Sequence, residues 1–499
     1  MSRRPGDFFT VSFLRPFLFA AGAAGLIASA AGAAPLTVDE AIRLALDRNR
    51  DIKVESFSRG IARANLLMAY GQFDPSLNFT RNYGESGNSL STDPQLASQL
   101  ELVKIDKYAL SLDGLTPWGL NYSLGATAQN QRGTYNNFIN NYATFGGLSV
   151  TQPLLRGFGF GNNLNGVRVA RADRGIADWQ FRQAVIDTIT GVVNAFSDLE
   201  FAHKELEISR RSRELAAGLV AENEKRFKVG GMSESDVTQA RARTATREEA
   251  IIFSEQAVRD AENALRRLIG EDIVLPQAEP LAIEPAAAVE PMVQPAEDLK
   301  KAYQLRPDYQ AARLGIDIRR ANESLAKNQL LPRLDFVGSY GYSGLDPNFE
   351  RSRQMVSRQD NRAYTVGMVV SVPLTFAQGR GKVRAARLQR QQAETDLGRL
   401  EQDIAVSVAH AAGEIETTRR RVEANRSAYQ LAQQALENEI KKLRAGTSNT
   451  FFVLNLQENV AGAESSLYNA LAGQRRAAAG YDRELGTTLT RYNVTLTKN

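Results

Sequence analysis

Apolar residues recur along this chain at two periods, and the two alternate in blocks. Val185, Ile189, Val192, Phe196 and Leu199 are separated by steps of three and four. So are Leu397, Leu400, Ile404, Val408, Ala411 and Ile415, and again Val453, Leu456, Val460, Ala463, Leu467 and Ala470. Such steps keep one stripe of a helix apolar and form the seam of a coiled coil. No proline interrupts Asn163–Phe227 or Val383–Leu443. These stretches predict helices of roughly 60 residues, on the order of 90 Å long at 1.5 Å per residue. Between the helical blocks the period falls to two. Ser76–Tyr83 places Leu77, Phe79, Arg81 and Tyr83 on one face and Ser76, Asn78, Thr80 and Asn82 on the other. Phe145–Leu155, Arg333–Tyr342 and Tyr364–Phe376 alternate likewise, and Leu112–Gln129 predicts a further hairpin. Alternation of this kind, rich in aromatics, is the signature of strands with one polar face and one face in lipid.

The pattern is written twice. At an offset of 257 positions Asp51 meets Asp308, Ala64-Asn65 meets Ala321-Asn322, Pro75 meets Pro332, Phe79 meets Phe336 and Tyr83-Gly84 meets Tyr340-Gly341. At an offset of 216, Val167-Arg168 meets Val383-Arg384, Asp187 meets Asp403, Glu200 meets Glu416, Gly230 meets Gly446 and Val237 meets Val453. The difference between the two frames marks an insertion in the first copy, within roughly residues 84–142. Each copy opens with a helix. In the first, Thr37 followed by Glu40 forms a capping box; the helix runs towards Ala69, and its counterpart begins near Ala296. The expected organisation is a first repeat over 34–275, a Pro-rich linker over 276–297, a second repeat over 298–486 and a tail over 487–499.

Residues 1–33 read as a secretory signal peptide. Arg3, Arg4 and Arg15 precede an apolar run from Phe17 to Ala31, and Ala31-Gly32-Ala33 offers small residues for cleavage. The run is shorter than the roughly 20 residues that span a bilayer as a helix. The chain has no Cys, which excludes disulfides and thiolate sites, and its two His residues, His203 and His410, are far apart in sequence. The net charge of +5 is evenly mixed along the chain and argues against nucleic acid. No phosphate loop, nucleophilic triad or metal-ligand spacing is present. The Gly157–Asn162 run lacks the third glycine of a dinucleotide site and reads as the transition from strand to helix. No catalytic, cofactor-binding or metal residue is therefore assigned.

The duplicated helix–strand–strand–helix–helix order, the segments "SLNFTRNYG", "LSVTQPL" and "VVSVPL", and the Gly turns "RFKVGGMSESDV" and "KLRAGTSNTFFVLNLQ" resemble the TolC-like outer-membrane efflux protein family over essentially the whole mature chain. The resemblance implies an α+β membrane protein in the outer membrane. Three copies would form one 12-stranded β-barrel, four strands from each, continued by a periplasmic α-helical coiled-coil tunnel. It implies outer-membrane lipid, a periplasmic adaptor protein and an inner-membrane transporter as partners, and passive export in a tripartite efflux pump or type I secretion system. It also makes the two Gly turns, Val229, Gly230, Gly231, Met232 and Ser233 with Ala445, Gly446, Thr447 and Ser448, the tunnel tips that dock the adaptor, Ser233 and Ser448 capping the helices that follow. The entrance constriction falls on Asp236, Phe452 and Asn455. The family's acidic ring, six and nine residues after the second Gly, is replaced here by Phe452 and Asn455, so a ring of phenylalanines would gate by excluding water. Asp236, six after Gly230, is expected to bond across to the second tip. The alternative is a periplasmic coiled-coil scaffold or adaptor without a pore.

Overall fold

The structure, a computed structural model, describes residues 35–89, 100–231, 233–271, 281–285 and 291–496. The signal segment 1–33, Met232 and much of the linker lie outside the described residues. The first copy runs α1 (Val38–Arg48), α2 (Arg50–Tyr70), β1 (Ser76–Ser89), β2 (Leu100–Leu115), β3 (Asn121–Gly133), β4 (Tyr142–Pro153), α3 (Phe160–Asn163), α4 (Asn165–Lys228) and α5 (Glu234–Ile269). The second runs α6 (Pro295–Leu305), α7 (Pro307–Gln329), β5 (Arg333–Asp346), α8 (Phe349–Arg358), β6 (Asn361–Ser371), α9 (Ala377–Arg444), α10 (Thr450–Leu485) and α11 (Thr488–Arg491).

The long helices are there, 64 residues in α4 and 68 in α9. The opening helix is not continuous. It breaks at Asn49, whose extended ψ of 132° ends α1 and whose Oδ1 caps α2 by accepting from the Asp51 and Ile52 amides. The second copy breaks at the equivalent place, Arg306, where Pro307 cannot continue the preceding helix. The final strand is also shorter than the alternation predicts. It ends at Ser371, and Pro373 lies in the short loop leading to α9.

The strands form one antiparallel sheet in the order β1-β2-β3-β4-β5-β6. The resemblance implies four strands per chain; this sheet has six, because the first-copy insertion contributes β2 and β3 as a hairpin closed by Thr116–Leu120. The cross-strand register lines up a row Leu77–Leu112–Leu124–Leu148–Tyr340–Tyr364 on one face. One residue along, on the opposite face, runs the row Ser76–Asp113–Ser123–Ser149–Ser339–Thr365. At this level of the sheet the period-two reading of the sequence is realised as two faces of opposite polarity, whereas farther from the helices the same face bears the ion pairs Arg81–Asp106 and Lys104–Glu85.

The main core lies midway along α4. Val185, Ile189, Val192, Phe196 and Leu199 of α4 pack with Ala41, Ile42 and Ala45 of α1, Leu265 and Ile269 of α5, Ala479 of α10 and Leu489 of α11. Leu281 and Ile283 of the linker join this core, and Leu36 forms a parallel bridge with Ile283. Linker and both ends of the described chain therefore gather at one level. A second core joins Ala302 with Ile404, Val408, Ala411, Tyr481 and Leu485. Among the described residues no helix is long and apolar enough to cross a membrane.

Candidate functional site: helical tips and the duct they would form

The two Gly turns reverse α4 into α5 and α9 into α10 with the same hydrogen bonds. Gly230 has φ +73° and Gly446 φ +76°, the left-handed region where a Cβ is strained. The amide of Gly230 donates to the carbonyl of Phe227, and that of Gly231 to Arg226. At the other tip Gly446 donates to Leu443 and Thr447 to Lys442. This paired five-to-two and six-to-one closure is a Schellman motif, repeated at the 216-residue offset. Nothing lies within 4 Å of the Cβ position at either glycine. Gly446→Val is therefore expected to strain the turn through backbone conformation alone, by about 1–2 kcal/mol. That would raise tryptic cleavage at Lys442 and Arg444 roughly tenfold through local opening, with helical content unchanged.

The caps differ between the tips. Ser233 Oγ accepts from the Asp236 amide at 3.2 Å and donates to Asp236 Oδ2 at 2.7 Å. In the second tip the cap is not Ser448 but its neighbour: Asn449 Oδ1 accepts from the Phe452 amide at 3.2 Å. Ser448 instead donates to Glu439 Oε1 at 2.5 Å, and the bond holds that carboxyl below the usual range. Val229 is 83% exposed at the apex. The last turns entering the tips carry Lys225, Arg226 and Lys228, and Lys441, Lys442 and Arg444, which favour the carbonyl ends of α4 and α9.

Asp236 is turned towards its own cap rather than across to the second tip. Other residues tie the two hairpins together. Buried Asn223 and Thr450 meet at 3.4 Å. Arg243 and Arg247 reach Glu458 at 3.1 and 3.7 Å, Arg243 also covers the Phe451 ring, and Arg211 pairs with Glu464 at 2.8 Å. Helical spacing alone did not mark these residues, because a charged residue on a solvated face has the same periodicity. Phe452 is 53% exposed, edge-to-face with Phe451, and shares an exposed stripe with Asn455, which accepts from Asn459. The seam is made instead by Val453 and Leu467, both buried.

At the other end of the long helices the sheet is seated on them. Gly119, with φ +101°, lies so close to Gly157 that a Cβ would come within 2.6 Å of its carbonyl oxygen. The Gly159 amide donates to the Trp118 carbonyl at 3.0 Å, and the Trp118 ring meets Phe160 edge-on. Asn163 donates to the Gly157 carbonyl, and Asn328 of α7 accepts from the Gly157 amide. The Gly157–Asn162 run is thus the transition its sequence predicts. The tight glycine contacts fix how the helices hang from the sheet.

A family model described as "Outer membrane efflux protein" matches residues 41–271 and 299–487. The chain is 24% identical over 333 residues to the outer membrane efflux protein BepC of Brucella suis, spanning 66% of this chain and 69% of BepC. It is 24% identical over 299 residues to the outer membrane protein TolC of Vibrio cholerae, spanning 59% of this chain and 66% of TolC. In fold it is similar to the CmeC outer membrane channel of Campylobacter jejuni, with a TM-score of 0.69 at 14% identity, covering 90% of this chain and 86% of CmeC.

Proposed function

The chain belongs to the outer membrane efflux protein family, and from that premise we propose that it is the passive exit duct of a tripartite efflux pump or type I secretion system, working as a homotrimer. It is an outer-membrane channel protein and not an enzyme. The observation that carries the finer reading is the sheet with one apolar and one polar face, mounted on helices that reach on the order of 100 Å away from it. The sheet has two unpaired edges, β1 and β6. In lipid an open edge leaves backbone groups unsatisfied at several kcal/mol each, so the sheet must close with other copies. A coiled-coil scaffold or adaptor without a pore would have no use for the apolar row.

In this reading residues 1–33 are removed on export, 34–275 and 298–486 are the repeats, and the 276–297 linker and 487–499 tail wrap the tunnel's middle. The tips Val229–Ser233 and Ala445–Ser448 face the periplasmic adaptor, which in turn binds an inner-membrane transporter. The basic last turns leading into them, with Lys225, Arg226 and Lys228 and with Lys441, Lys442 and Arg444, favour an acidic partner surface. Phe452 and Asn455 line the entrance, with Asp236 structuring the tip beside them.

Planar-bilayer recording tests the duct. Reconstituted protein is expected to give discrete, voltage-tolerant conductance steps; inserted protein that leaves the bilayer silent would overturn the reading. The same recording tests the entrance. Phe452→Asp puts one carboxylate per subunit where the wild type has an aromatic ring, so the reversal potential under a salt gradient should shift towards the cation value. An unchanged reversal potential would place Phe452 away from the lumen.

A further inference from the structure

We infer that the exit barrel of this protein has eighteen strands, six from each of three chains, and is therefore wider than the four-strands-per-chain design. The inference rests on the trimeric duct proposed above and concerns the β2–β3 hairpin, which nothing in the family pattern calls for.

Three observations place that hairpin in the membrane wall. The first is register. β1 pairs with β2 over its full length, from Ser76↔Asp113 to Ser89↔Leu100, and β3 pairs with β4 from Asn121↔Thr151 to Asn130↔Tyr142. The hairpin is thus inserted between β1 and β4, not appended to an edge. The second is polarity. The apolar row crosses β2 and β3 at Leu112 and Leu124 without a break, and the polar row crosses them at Asp113 and Ser123. Leu112 is 37% and Leu124 54% exposed, within the 37–72% range of the whole row. A hairpin standing in water would have no reason to keep leucines outward at these positions, whereas a hairpin in lipid must. The third is the seating of its turn. Trp118 and Gly119 are packed and hydrogen-bonded onto the Gly157–Asn163 transition, at the level where the other strands meet their helices.

Closure is consistent with this count. The strands alternate in direction from β1 to β6, so β6 of one chain runs antiparallel to β1 of the next, as an even number per chain requires. Barrel diameter grows roughly in proportion to strand number, so eighteen strands give an outlet about half as wide again as twelve; barrels of 16–18 strands hold an open aqueous channel. Among the described residues four segments per chain, α2–β1, β4–α4, α7–β5 and β6–α9, connect the sheet to the helices of the tunnel, while α8 only bridges β5 and β6 at the sheet's other end. The helical tunnel therefore does not widen with the barrel, and the size limit on cargo falls on the tunnel and its entrance, not on the outlet.

Because the chain has no native Cys, single cysteines carrying a fluorophore test this directly in vesicles containing bromine-labelled lipid. Leu148→Cys on β4 and Val366→Cys on β6 report the part of the sheet that any barrel would use; Leu110→Cys and Leu124→Cys report the hairpin, and Ser111→Cys and Ser123→Cys its opposite face. The expected result is equal quenching at Leu110, Leu124, Leu148 and Val366, with Ser111 and Ser123 unquenched and open to a water-soluble thiol reagent. Quenching at Leu148 and Val366 but not at Leu110 and Leu124 would put the hairpin outside the wall and overturn the eighteen-strand barrel alone. Loss of quenching at all four would instead sink the membrane duct on which it rests.

Discussion

Truncating Phe196 to alanine is expected to destabilise the folded chain by about 3–5 kcal/mol, the usual cost of removing a fully buried aromatic ring. Phe196 is 1% exposed and sits where α4 meets α1, α5, α10 and α11. A helix of 64 residues held only by a coiled-coil seam could slide or bow. The cluster around Phe196 is where several elements clamp α4 at once, so its loss should loosen the linker and chain ends packed there together with both hairpins. Melting followed by the helical circular dichroism signal in detergent checks this. A clear fall in midpoint is expected, and an unchanged midpoint would mean that this core does not anchor the helices.

The second large effect is expected at the other helix break. Arg306 is 16% exposed at its side chain and bonds Asp308 at 2.8 and 3.1 Å, Glu484 Oε2 at 2.5 Å and the Glu484 carbonyl at 3.2 Å. It thereby fastens the α6–α7 corner to the C-terminal end of α10. Arg306→Ala leaves Asp308 without its cation and Glu484 with Arg483 alone, a loss of about 1–3 kcal/mol. Arg306→Lys should recover only part of it, because an ammonium cannot hold both carboxylates through a planar fork. Burial pushes the Asp308 carboxyl up, but the bond and charge of Arg306 outweigh it and hold the group below its ordinary value. A depressed carboxylate adds stability above its unfolded value of about 3.9, and loses it as pH falls through the folded value. The wild type should therefore weaken in acid more steeply than Arg306→Ala, and the two should run parallel near neutrality. Equal acid sensitivity in the two proteins would contradict this role for the pair.

These corners also show what could be read from the chain and what could not. The long helices, the four repeat-related strand segments, the inserted hairpin and the two Gly turns all follow from period and from Gly and Pro placement, because each depends on local chemistry. The helix breaks do not. Asn49 and Arg306 occupy equivalent positions at the 257-residue offset, yet one is an amide and the other a cation. Both reach the same feature: Asn49 donates to the Leu268 carbonyl, and Arg306 to that of Glu484, residues equivalent at the 216-residue offset. The glycines just beyond, Gly270 and Gly486, have φ +73° and +72° and lie against Arg48 and Leu305, with no room for a Cβ. That symmetry joins residues some two hundred positions apart. The unlike side chains of Asn49 and Arg306 hid it.

At the tips the sequence marked the turns but not the partner of each side chain. Asp236 and Ser448 were expected to reach outward, Asp236 across to the second tip and Ser448 to the next helix. Each finds a nearer bond, Asp236 with Ser233 and Ser448 with Glu439. Charged residues on α4 and α5, Arg211, Arg243 and Arg247, make the links between hairpins instead. On a helix surface, spacing tells which residues share a stripe and not which neighbouring helix lies across from it. The strand number fell between these cases. The hairpin was visible as alternation, but its place in the sheet depended on pairing with β1 and β4, which no local pattern encodes.

Single-particle electron microscopy of the detergent-solubilised protein, with its mass determined on the same sample, tests the central claim most directly. A three-fold tapered rod well over 100 Å long, with a detergent belt around one end only, is the predicted particle. A monomer or dimer that stays in solution without detergent would contradict the account, and would leave the long helices as parts of a scaffold without a pore.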